Sequence, residues 1–229
     1  LRLMDAKSLR REQLVIALSF RIGGLIHSCR RSTAYKAFKR DYKRLSEARN
    51  FAYLLRNGAS ACDSSEAIEF SRKAIQIFRK TGDEYGQLTT LNNLGVFEAN
   101  EDKFDRAYKH FSYALNGLHS YGLIHIEEAL VNKGICAMSL NDLDEAESIL
   151  RRCLTLASDN VPRYYAAQSL AAVHSLRGDT KKCLNLLSTA FKSATRIGIL
   201  PHLQRYILNS ALIADLCAPK SKLAYQFLE

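Results

Sequence analysis

Apolar residues recur every three to four positions along most of this chain, a spacing that lays them on one face of a helix. Leu14, Leu18, Ile22, Leu25 and Ile26 form such a face in a helix expected over about 8–29. Tyr35, Phe38, Tyr42 and Leu45 form another in a helix expected over about 33–57. Further on, apolar blocks come in pairs joined by the polar stretches "NEDKFD", "LNDLDE" and "LRGDTK". Asp and Asn in those stretches supply turn and N-cap oxygens. Only 11 Gly and 3 Pro interrupt 229 residues, and the rest is rich in Leu, Ala, Glu, Lys and Arg, so the expected class is all-α.

The pairs repeat. Gly95 is followed by Ala107, Phe111 and Ala114, and the same offsets give Gly134, Ala146, Leu150 and Cys153. They recur in Ala171, Cys183, Leu187 and Ala190, and more weakly in Leu55, Ala67, Ser71 and Ala74. Ala211, Leu223 and Phe227 begin a truncated copy. The leading positions lie 40, 39, 37 and 40 residues apart. A small residue late in one helix and another early in the next let two backbones approach, and the later large residue fills the gap.

On these residues, above all "LNNLG…A…F…A" and "KGICAMSLNDLDEAESILRRCL", the chain resembles the tetratricopeptide repeat family over about residues 43–229. It departs from the family in placing Leu91, Leu130, Ala167 and Ile207 where an aromatic is usual, and its repeats exceed the common 34 residues. The connecting stretches "KTGDEYG" and "NGLHSYGLI" are expected to absorb the excess. Such extended repeats look like those of bacterial regulatory and signalling proteins. The resemblance implies a right-handed solenoid of antiparallel helix pairs, four repeats and a partial fifth, about eleven helices in all. Residues 1–42 are expected to form a basic helical segment packed on it.

Two residues before each leading position stands the column Tyr53, Asn93, Asn132, Ser169 and Asn209. The first helices of stacked pairs line a concave surface, where one amide per repeat would project into a groove. An amide offers donors and an acceptor in one plane, matching an extended peptide backbone. In the family, asparagines at this position grip peptide backbones, and Asn93, Asn132 and Asn209 match it. Asn92 has no counterpart asparagine in its column, so Asn93 is the expected ligand contact. The bland alternative is a column of merely solvated polar residues.

Charge is concentrated at one end. Residues 1–57 hold 14 Lys and Arg against 4 Asp and Glu, and the remainder is balanced, so the whole net charge of +10 sits there. Lys36, Lys39, Arg40, Lys43 and Arg44 form the candidate basic patch. It is open to three readings: a solvated face, contact with an acidic protein or domain, or contact with nucleic acid or an anionic membrane. No helix-turn-helix or RNA-binding signature accompanies it. Gly23-Gly24 is expected to permit close packing or a kink, and is no phosphate loop because GxxxxGK[ST] is absent.

Nothing in the sequence carries catalysis. The six histidines form no HExxH, no GxSxG occurs, and the six cysteines include no CxxC pair. The cysteines are read as reduced, buried small hydrophobes, and His174 as a residue packed between helices. The apolar run "LVIALSFRIGGLI" is too short to span a bilayer and contains Arg21. The leading Leu1 suggests a piece of a longer protein. The expected function is a non-catalytic peptide- or protein-binding module, without cofactor or metal, in a cytoplasmic regulatory protein. The alternative is a domain associating with nucleic acid through residues 1–57.

Overall fold

The structure, a computed structural model, describes residues 6–28, 30–48, 50–198 and 213. Among these residues every long element is a helix: α1 (Ala6–His27), α2 (Arg31–Asp41), α3 (Phe51–Ala59), α4 (Ser64–Thr81), α5 (Glu84–Ala99), α6 (Phe104–Leu118), α7 (Leu123–Ser139), α8 (Leu143–Leu156), α9 (Asn160–Leu176) and α10 (Thr180–Ile197). A short 3-10 turn at Lys43–Leu45 follows α2. The chain packs as two compact units, residues 1–114 and 115–229, with the boundary inside α6. The sequence division at 42/43 therefore falls within the first unit.

In unit 1, α1 packs on α2 and α3, and α3 pairs with α4, which packs on α5. In unit 2, α7 pairs with α8 and α9 with α10, and α8 packs on α9. The repeat offsets explain these pairings. Leu55, Ala67, Ala74, Ala107, Phe111, Ala114, Ala146, Leu150, Cys153, Ala171, Cys183, Leu187 and Ala190 are all essentially inaccessible to solvent. Gly95 lies against the Phe111 ring and Gly134 against Leu150, at contacts where any side chain would collide. Within a repeat, a missing side chain on one helix is matched by a bulky one on the next.

Turns recur as regularly as the core. Asp102, Asn141 and Gly178 each follow the leading small residue by seven positions, and all three are left-handed, with φ of 57°, 62° and 74°. Asp, Asn and Gly are the residues that enter that region most readily. The next position starts the second helix: Asp142 Oδ1 accepts from Glu145 N at 3.0 Å and Asp179 Oδ1 from Lys182 N at 3.2 Å. Asp63 caps α4 in the same way, through Glu66 N at 2.9 Å.

Several expectations need correction. The apolar rhythm over 33–57 is not one helix: α2 ends at Asp41 and α3 starts at Phe51. Leu45 and Ala48 stay buried through the reversal, so the rhythm belongs to a buried turn that frees α3 to pair with α4. On α1 the buried stripe is Val15, Leu18 and Ile22, whereas Leu14 is 48% exposed. Val15 and Ile22 are seven residues apart and nearly superpose around the helix, and Leu14 lies about 100° off that line. Gly23 and Gly24 sit in unbroken helix with no neighbour near enough to require them. The extra repeat length enters the helices too: of "KTGDEYG", only Gly82 and Asp83 lie outside α4 and α5.

Candidate binding surface

Unit 1 presents one face on which α3 and α5 place polar side chains side by side. Tyr53 and Arg56 come from α3, one turn apart, and Thr89 and Asn93 from α5, also one turn apart. Tyr53 OH donates to Asp83 Oδ2 at 2.6 Å, while Asp83 Oδ1 caps α5 by accepting from Gly86 N at 2.8 Å. Burial, with the carboxylate of Asp83 beside it, pushes the Tyr53 hydroxyl up to about 12. Its ring packs edge-on to Phe78, centroids 4.8 Å apart. The Arg56 guanidinium lies 5.0 Å from the Tyr53 ring and donates from Nη1 to Thr89 Oγ1 at 3.1 Å.

The asparagines separate into two kinds. Asn92 is only 5% exposed and is engaged inside the fold. Asn93 is part-exposed, and its amide has no hydrogen bond among the described residues. In unit 2, Asn132 is part-exposed and already takes part in an interaction within the chain, and Ser169 is 9% exposed. Asn209 lies outside the described residues.

Much of the basic patch is engaged internally. Lys39 Nζ donates to Glu66 Oε1 at 2.6 Å and sits 5.5–5.9 Å from the rings of Phe70, Tyr35 and Tyr42. Arg40 and Arg44 donate to the buried carboxylate of Asp41 at 2.6 and 2.9 Å. The hydrogen bond from Arg40 outweighs the opposing effect of burial and holds Asp41 below the usual carboxylate range. Lys36 and Lys43 are exposed.

His174, expected to pack between helices, shares a recurrent buried position with Glu98. Three residues after the leading small position stand Glu98 in unit 1 and His174 in unit 2, both fully buried. Glu98 accepts from Arg72 Nη2 at 3.0 Å, with His110 Nε2 3.1 Å away. His174 Nε2 lies 3.4 Å from Arg151 Nη2 and 3.5 Å from Glu147 Oε1. Arg72 and Arg151 occupy the same repeat position, seventeen residues after Leu55 and Gly134. The periodicity of these arginines was the signal for the polar contacts; their pairing with Glu98 and His174 was not read from the sequence. Glu127, buried near the start of α7, accepts from the Ser158 backbone N–H at 2.7 Å.

The family model for the tetratricopeptide repeat matches residues 127–160, from α7 through α8 into α9. The fold is that of the tetratricopeptide repeat family. Several solved structures superpose on it. Rap protein complexed with Competence and Sporulation Factor superposes with a TM-score of 0.72 at 18% identity, over 92% of this chain and 64% of that one. PilW, a type IV pilus biogenesis factor, gives 0.67 at 20% identity, over 98% and 91%. BtubC from P. vanneervenii gives 0.63 at 20% identity, over 84% and 90%. No curated protein matches the sequence. Among the described residues, no group of three or more His, Cys, Asp or Glu could hold a metal ion, and no helix is long and apolar enough to cross a membrane.

Proposed function

We propose that this tetratricopeptide-repeat chain is a non-catalytic module that binds an extended peptide segment, as the interaction domain of a larger cytoplasmic regulatory protein. The observation that carries the reading is the Asn93 amide, part-exposed one helical turn from Thr89, itself held by Arg56, and without a hydrogen bond of its own among the described residues. An idle planar amide suits the alternating N–H and C=O groups of a peptide. Asn132 is the corresponding residue of unit 2. One fold neighbour, Rap, is described in complex with Competence and Sporulation Factor, so the fold accommodates a bound partner in that protein.

The test is capture of partners from the native host, mapping of the bound segment, and titration of that segment as a synthetic peptide. Asn93→Ala should leave the fold intact, since its amide has no hydrogen bond among the described residues and alanine is the better helix former. The lost amide contact leaves a ligand backbone group unpaired at about 1–3 kcal/mol, so affinity should fall roughly fivefold or more. Undiminished affinity, or affinity lost only together with stability, would refute the reading. Steep weakening with salt would instead favour phosphate contact through residues 1–57.

A further inference from the structure

Gly23 and Gly24 lie within α1, yet a β-carbon at either would meet nothing within 4 Å. Each such glycine costs a helix about 1 kcal/mol relative to alanine, and no packing contact requires it. Both line a cleft of about 740 Å³ between α1 and α3. Ile16 and Phe20 continue the α1 wall, and Phe20 is 78% exposed. The two glycines thus hold open an apolar trough where ordinary side chains would fill it.

The facing wall carries the charge. Arg56 is part-buried, stacked on Tyr53, and fixed by the neutral acceptors Thr89 Oγ1 at 3.1 Å and Asn57 Oδ1 at 3.3 Å. It makes no ion pair among the described residues, and no Asp or Glu lines the cleft. Asp83, the nearest acidic influence, is occupied by Tyr53 and by the start of α5. Desolvation lowers the guanidinium's affinity for its proton, which marks it as a cation poorly compensated by its surroundings. A cation held rigid and part-desolvated without a counter-charge is complementary to an incoming anion.

We propose that the α1/α3 cleft binds an apolar peptide segment bearing a carboxylate, the carboxylate on Arg56 and the apolar side chains against Phe20 and over Gly23 and Gly24. This rests on the peptide-binding reading above and names its partner's chemistry. The remaining Arg56 N–H donors take the carboxylate as a charge-assisted pair, and the trough takes aliphatic side chains.

The probe is a random short-peptide library selected on the full chain. Enriched sequences should place Asp or Glu beside aliphatic residues. In the best peptide, exchanging Glu for Gln (or Asp for Asn) should weaken binding about tenfold or more, and should change nothing against Arg56→Met. Gly23→Leu should block binding while the melting temperature stays equal or rises, which separates occupancy from folding. Phe20→Ser, at an exposed position, should weaken binding without loss of stability. Enriched peptides without acidic residues, indifferent to Arg56→Met and Gly23→Leu but sensitive to Asn93→Ala, would overturn this proposal and leave the broader reading standing. No enrichment at all would end both. A chain that self-associates through Phe20, or binds anionic vesicles through it, with no acidic peptide selected, would also overturn it.

Discussion

Gly95 and Phe111 approach so closely that a β-carbon on Gly95 would stand 2.7 Å from Cε1 of the ring. The equivalent pairs are Gly134 with Leu150, Ala171 with Leu187, and Leu55 with Ser71. Bulk thus passes from one helix to the other, and in the first repeat the order of sizes is reversed. Summed volume is conserved where individual residues are not.

That relationship makes Gly95→Ala destabilising. Overpacking costs about 1–3 kcal/mol, against a gain of about 1 kcal/mol from helix propensity, so the thermal midpoint should drop. Adding Phe111→Leu recreates the Ala/Leu pair of the fourth repeat. The double variant should be more stable than the sum of the single effects by about 0.5 kcal/mol or more. Additive behaviour in urea melts would disprove the coupling.

His174 and His110 give the fold a pH dependence. Burial lowers the proton affinity of His174 below its ordinary value of 6.5, beyond what nearby Glu147 restores, and Lys182 and Arg151 add to the lowering. His110 is lowered likewise, with Glu98 opposing and Arg72 and Arg106 assisting. Because the unfolded chain binds these protons more readily, stability is full above 6.5 and falls as pH drops through the lower folded values. Melting temperature should therefore decline on acidification below that point, and His174→Gln should flatten part of the decline. An unchanged slope in His174→Gln would remove this residue from the account.

Asp41 gathers Arg40 and Arg44 at the end of α2, at 2.6 and 2.9 Å. Asp41→Asn should cost about 1 kcal/mol, the low end for a buried charged acceptor, because both guanidinium partners are exposed and screened. The folded pKa lies below the ordinary 3.8, so this contribution is present above 3.8 and disappears as pH falls through the folded value. The difference between Asp41→Asn and the parent chain should close in acid. Equal stability near neutrality would contradict the assigned role.

Burial pushes the thiols of Cys62 and Cys153 up to about 12 and that of Cys136 up to about 11. Thiolates are the reactive form, so all three should resist iodoacetamide in the native chain at mildly alkaline pH and label rapidly in denaturant. Peptide mass mapping reads each site separately. Native labelling at the rate of a free thiol would refute their burial.

The repeat was legible in the sequence because its determinants are local: residue size at fixed offsets, turn formers seven and eight positions on, and apolar spacing near 3.6. Gly95, Ala107 and Phe111 could be identified as core, and Asn141-Asp142 as a turn and cap, with no knowledge of any neighbour. The N-terminal region was less legible. A buried turn and a helix share the same apolar rhythm, and only the pairing of α3 with α4 decides that the chain reverses between Asp41 and Phe51. The repeat columns of "LNNLG" single out Asn93, but the burial of Asn92 and the part-exposure of Asn93 are set by tertiary packing. The network of Arg72, Glu98 and His110 and the contact of Arg56 with Thr89 bring together residues more than ten positions apart. Periodicity fixes which side of a helix a residue occupies, but the partner on that side is set by how helices distant in sequence come to pack.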